Sequence, residues 1–158
     1  MNEVASRSGF QVVGIEARTN NFLEAEPDNA RIAKLWKRFA DEKIADAIAN
    51  QTQSGRIYAV YTDYEDGDDE DYSLVIGCAV ESVSSVPDNM VLVNVAMGTY
   101  QHFHSEGEMP LELVKTWGAI WEYYSDSEQY RRVFTTDYEV HDASKPNEVD
   151  VYVAVEPL

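Results

Sequence analysis

The chain runs to 158 residues, 44% of them hydrophobic, enough to bury the core of one domain. Twelve basic residues stand against twenty-nine acidic ones, a formal net charge of −17. That balance excludes a protein that grips nucleic acid through a basic face or docks on anionic lipid. A field of this sign draws cations toward the surface, although it also serves solubility alone.

The single cysteine, Cys78, rules out an intramolecular disulfide and fits a reducing compartment. Met1 to Ser8 lacks the apolar core of a secretory signal, and no run approaches the ~20 apolar residues of a membrane span. The expectation is a cytoplasmic protein with no membrane partner.

Phe10 to Arg18 is rich in β-branched residues and partly alternates, which predicts a strand closed by Thr19-Asn20-Asn21. Pro27-Asp28 suits a helix start. From Ala30 to about Asn50 the apolar residues Ile32, Leu35, Trp36, Phe39, Ile44 and Ile48 recur near helical spacing. Arg56 to Thr62 reads as a second strand. Asp63 to Asp71 then sets seven acids in nine residues around Gly67. A calcium loop needs Gly at position 6 and Glu at position 12, but here Thr62 and Ser73 would fill positions 1 and 12, so a solvated hairpin loop is predicted.

Tyr72 to Glu81 is a third strand and Met90 to Met97 a fourth, with Gly98 to Gly107 read as the connection to a second helix opened by Pro110. In that helix Leu111, Val114, Trp117, Gly118, Ile120, Trp121 and Tyr124 cover a wide apolar face. Arg132 to Asp142 and Glu148 to Val155 are the last strands.

The chain echoes itself. Ile32-Ala33-Lys34-Leu35-Trp36 returns 81 positions on as Leu113-Val114-Lys115-Thr116-Trp117, and the same offset sets Phe22 on Phe103, Asn21 on His102 and Tyr58 on Glu139. Past the acidic run the offset falls to 75, where Ala79-Val80-Glu81 matches Ala154-Val155-Glu156. Each half, about residues 8–85 and 89–158, reads β-α-β-β. The prediction is one α+β domain: a duplicated unit with pseudo-twofold symmetry, an antiparallel or mixed sheet, two long helices and a cleft between the repeats.

Chemistry concentrates in Asp137-Tyr138-Glu139-Val140-His141. Asp137, Glu139 and His141 share one strand face, Tyr138 and Val140 the other. A carboxylate on an inward face is costly unless partnered, and often serves a ligand. On pattern alone the solvated reading stays open. The repeat sets Tyr58 beside Glu139 in one cleft, a common kind of ligand site. His102 and His104 are metal-ligand types on one strand face, with Glu106 or Glu108 near, but no CxxC or HExxH accompanies them and no metal is expected. No GxSxG or Gly-rich phosphate loop occurs, and Cys78 reads as packing. Trp117 and Trp121, one helical turn apart, suit a core or a ligand box.

Taken in order, Phe10 to Ile15, the helix Ile32 to Phe39 with its tryptophan, Ile57 to Tyr61, Gly98 to Phe103 followed by Gly107, the helix Trp117 to Tyr124, and Asp137 to His141 resemble the GyrI-like effector-binding domains. These are the ligand-binding parts of multidrug-responsive transcription regulators related to BmrR and Rob. Within them the chain is most similar to the stand-alone effector-binding proteins of integron cassettes, and the resemblance spans essentially its whole length. It implies a non-enzymatic binder of cationic, hydrophobic small molecules that uses no cofactor. It implies Glu139 as the counter-charge in an aromatic cleft, with Tyr58, Trp117, Trp121, Phe103 and Tyr61 as walls. The family's regulators carry a helix-turn-helix module that is not read here, so direct nucleic-acid binding is not expected and a separate DNA-binding regulator is the implied partner. Two other classes stay open: a hydrolase of small electrophiles using Glu139, and an acidic, gyrase-inhibitor-like interaction module.

Overall fold

A computed structural model of the chain describes residues 2–67 and 69–158. Its strands are β1 (Val4–Arg7), β2 (Phe10–Thr19), β3 (Arg56–Thr62), β4 (Tyr72–Val80), β5 (Val91–Val95), β6 (Gly98–Glu106), β7 (Tyr130–Asp142) and β8 (Glu148–Pro157). The helices are α1 (Asn21–Glu24), α2 (Ile32–Asp41) and α3 (Leu111–Ser125), with a 3₁₀ turn at Ile44–Ala47. The strands form one sheet in the order β1-β6-β8-β7-β3-β4-β2-β5, and neighbours pair antiparallel. The α+β expectation holds, in its antiparallel form.

Residues 98–106 are a strand, not a connection, and β6 pairs along its length with β8. The N-terminal stretch read only for targeting supplies β1, which lines the other side of β6. The helix expected from Ala30 to Asn50 stops at Asp41. Lys43 adopts a left-handed φ of 52°, and the redirected chain buries Ile44 and Ile48 in the core. Nor does Pro27-Asp28 open that helix. Glu24 caps it instead, its carboxylate accepting from the backbone N–H groups of Arg31 at 2.8 Å and Ile32 at 3.2 Å, at the positive end of the helix dipole. The offset of 81 fails at Phe22, which is 81% exposed on α1 while Phe103 is buried in β6.

The Asp63–Asp71 run closes the β3–β4 hairpin, as predicted. Arg18 secures it by donating to the carbonyls of Asp63 and Asp71 and to the Ser73 hydroxyl. Asp68 of that run, like Met1, lies outside the described residues.

Helices α2 and α3 lie on one face of the sheet. Leu35 and Phe39 of α2 pack on Ile15, Leu74, Ile76 and Cys78, and Ile120 of α3 packs on Phe103, Val149, Val151 and Val153. The other face curls onto itself. Phe10 of β2 and Tyr138 of β7 are separated by β4 and β3, which in a flat sheet would hold them roughly 14 Å apart at about 4.8 Å per strand; their rings are 5.2 Å apart. That closure buries Tyr58, Tyr100 and Tyr138 without a helix above them. Strand β4 is therefore buried on both faces. No helix among the described residues is long and apolar enough to cross a membrane.

Strands β2 and β4 approach closely at a glycine pair. Gly14 and Gly77 face each other across β2 and β4, and a Cβ on Gly77 would run into the carbonyl of Val13. Gly77→Ala is expected to destabilise the chain by about 1–3 kcal/mol through overpacking against backbone that cannot rotate away. Urea unfolding followed by circular dichroism checks this; an unshifted midpoint would contradict it.

Candidate functional site

Alternation along β7 turns Asp137, Glu139 and His141 to the helix-bearing face, where register places Ala59 of β3 and Val151 of β8 beside Glu139. Glu139 is 2% exposed. Its Oε2 accepts from Tyr61 Oη at 2.9 Å and from Trp117 Nε1 at 2.8 Å. Its Oε1 lies 2.8 Å from His141 Nε2. An ionised carboxylate only accepts, so that ring nitrogen carries the proton. No lysine or arginine lies within ion-pair distance of Glu139 among the described residues.

An aromatic shell encloses this carboxylate. The Tyr61 and Trp117 rings meet edge to face at 5.2 Å, and Trp36 of α2 lies 4.6 Å from the His141 ring. Both tryptophans of the echoed Lys-x-Trp pattern therefore reach the Glu139 cluster, Trp117 directly and Trp36 through His141.

Asp137, wholly buried, is handled differently. Arg132 Nη2 donates to it at 2.7 Å, Tyr64 Oη donates to the same oxygen, and the backbone N–H of Ala154 donates to the other at 2.9 Å. A bulge makes this possible: the register slips between Arg132 and Asp137, and Phe134 takes a left-handed φ of 57°. Arg132 then lies 4.4 Å over the Phe134 ring. Burial, and then the neighbouring Glu139 carboxylate, push the Tyr61 hydroxyl well above its ordinary range. Burial and Asp137 do the same to Tyr64, so both remain protonated donors.

Of the predicted walls, the structure brings Tyr61 and Trp117 to Glu139 and leaves the others elsewhere. Tyr58 pairs with Val140, not Glu139, and its side chain lies on the opposite face against Phe10 and Tyr138. The repeat offset was one residue out at this point, and in a strand one residue reverses the face. Phe103 is on the helix-bearing face but sits under α3 with Tyr123 and Tyr124. Trp121 is 47% exposed, continuing an outward stripe with Leu111 and Val114. Unpredicted members of the cluster are Trp36, Tyr64, Arg132 and Phe134. Cys78, 1% exposed and pushed up to about 11 by burial, is a packed thiol rather than a nucleophile.

A concavity of about 520 Å³ opens on the opposite, helix-free face and is lined by Arg7, Arg56, Tyr58, Tyr138, Asp150 and Tyr152 among others. Arg7 donates to Tyr138 Oη at 3.1 Å and sits 4.2 Å over the Tyr152 ring.

A model of the integron-associated effector binding protein family, Cass2, matches residues 3–155. The chain belongs to that family. An integron cassette protein from the mobile metagenome of Vibrio cholerae is 28% identical, superposes with a TM-score of 0.81, and is matched over 98% of this chain and 95% of its own. YobU of Bacillus subtilis (strain 168), named for transcriptional regulation, is 26% identical over 147 residues, 90% of this chain and 89% of its own. SAV2435, solved bound to tetraphenylphosphonium, is 15% identical with a TM-score of 0.78 over 99% of this chain and 94% of its own. At that identity the last likeness speaks for the fold alone. By family the chain is therefore an effector-binding protein.

Proposed function

We propose that this effector-binding domain takes up lipophilic organic cations at Glu139, between α2 and α3, as a sensor or sequestrant and not as an enzyme. One observation carries the reading: Glu139 is buried among aromatic rings with hydrogen-bond donors but no arginine or lysine, whereas Asp137 two residues away has Arg132. An organic cation supplies the missing charge. Tyr61, Trp117 and Trp36 supply ring faces, each contributing about 0.5–2 kcal/mol to a desolvated cation. The net charge of −17 raises the local cation concentration. Glu139 is 2% exposed, so uptake requires the shell of rings around it to open. Tyr61, held protonated, donates a hydrogen bond and is no nucleophile. The SAV2435 complex supports the ligand class by its bound tetraphenylphosphonium.

The same reading takes the domain as two copies of one unit, about residues 8–85 and 89–158. In support, the sheet order read outward from its middle is β7-β8-β6-β1 on one side and β3-β4-β2-β5 on the other. In that scheme β1, just ahead of the first half, extends the edge strand of the second, and β5 of the second half extends the edge strand of the first.

Titration of tryptophan fluorescence with tetraphenylphosphonium, against neutral triphenylphosphine oxide, tests the proposal. Saturable quenching by the cation at a concentration at least tenfold lower than by the oxide is expected. Equal responses would remove the charge argument.

A further inference from the structure

The helix-free face holds a cluster that the Glu139 site does not use. His102 and His104 project from β6, and Asp150 stands directly across from His104 on β8. Asp150 Oδ1 lies 2.7 Å from His102 Nε2 and 2.8 Å from His104 Nδ1, so two ring nitrogens converge on one carboxylate oxygen. Donor atoms from all three residues lie within 4.8 Å of one another.

We propose that His102, His104 and Asp150 bind a divalent transition-metal ion of the zinc type. The argument is one of geometry and donor chemistry. Two residues spaced i and i+2 on a strand, plus the cross-strand partner of one of them, put three side chains at one corner of a rigid ladder. Two imidazoles and a carboxylate suit zinc, cobalt or nickel over calcium or magnesium, which prefer oxygen alone.

The surroundings match what a metal-bound histidine needs. His104 Nε2, on the far side of its ring, faces Glu148 at 3.2 Å and Glu106 at 3.5 Å. With Nδ1 on the metal, the proton resides on Nε2 and is donated to these carboxylates, which orient the ring. The His102 ring stacks on Tyr152 at 4.8 Å and 20°, fixing its plane. The three side chains are 33%, 41% and 38% exposed, so an ion reaches them from solvent and they have room to close to the roughly 2.0–2.2 Å of zinc ligation. Three protein ligands leave a fourth position for water or a ligand atom. Asp150, Glu148 and Tyr152 also line the 520 Å³ concavity, so that position is at its rim.

Cobalt(II) is the probe, because its visible absorption reports the geometry and donor set of a bound ion. One cobalt ion per chain is expected, with bands that survive excess calcium, vanish on adding zinc, and weaken in affinity at least tenfold in His102→Gln and in His104→Gln. Absence of the bands, or equal affinity in both variants and wild type, would overturn the site. Histidine-ring NMR of the wild type gives a readout free of mutation. Zinc should shift the signals of His102 and His104 and leave His141, the only other histidine, in place. A shift confined to His141 would refute the proposal. Neither result depends on Glu139, so this site stands or falls apart from the cation reading.

Discussion

Glu139→Gln is expected to keep the fold and lose the cation. The amide oxygen can occupy the Oε2 position and accept from Tyr61 and Trp117, which now donate there at 2.9 and 2.8 Å. The amide NH₂ then faces His141 Nε2, which becomes the acceptor by shifting its proton to Nδ1. Every buried polar group keeps a partner, and one buried charge disappears. Because burying a carboxylate carries a desolvation cost, the urea midpoint of the variant should equal or exceed that of wild type. Affinity for tetraphenylphosphonium should fall at least tenfold, about 1.4 kcal/mol or more, while any weak binding of triphenylphosphine oxide stays where it was. Unchanged cation affinity in a folded variant would reassign the counter-charge to another acid and leave the fold description untouched.

Much of this site was open to reading from residue order alone, and the failures have physical causes. Alternation put Asp137, Glu139 and His141 on one face, and no tertiary knowledge was needed. The tryptophans of the two Lys-x-Trp segments were visible as an echo, and both reach the cluster. Tyr58 failed because periodicity of two tolerates no error: register pairs Ala59 with Glu139, and a one-residue offset reverses the side chain. Strand β6 failed because Gln101 and Ser105 are polar yet 3% and 2% exposed, with Gln101 accepting from Tyr124 Oη at 2.6 Å. Polar residues buried inside a strand erase the alternation that marks it. Tyr64 was hidden inside a run of acids and turns inward to Asp137, which accepts from it, and to the rings of Tyr72 and Phe134. The Arg132–Asp137 pair depends on a bulge, and Asp150 on a cross-strand register; local spacing encodes neither.

Asp137→Ala should give a large stability loss. Arg132 and Asp137 are 6% and 0% exposed, and removing one partner leaves a guanidinium buried without this carboxylate, at a cost of about 3–5 kcal/mol. The Ala154 N–H and the Tyr64 hydroxyl lose their acceptor as well. With a urea dependence of about 1–3 kcal/mol per molar for a small domain, the unfolding midpoint should drop by more than about 1 M. Arg132→Met paired with Asp137→Leu should recover much of the loss, since an apolar replacement of a buried pair removes both desolvation penalties. The milder Asp137→Asn bears on ligand binding. Glu139 is the next side chain along the same face, roughly 7 Å away. With Asp137 neutral, the field of the Arg132 guanidinium at Glu139 is offset by one carboxylate fewer, and an organic cation must bind against it. Cation affinity in Asp137→Asn should therefore fall although Glu139 is intact, and Asp137→Asn combined with Arg132→Met should restore it. If Asp137→Asn binds tetraphenylphosphonium as wild type does, the division of labour between the two carboxylates, one kept neutralised so that the other stays available, is not how this site selects charge.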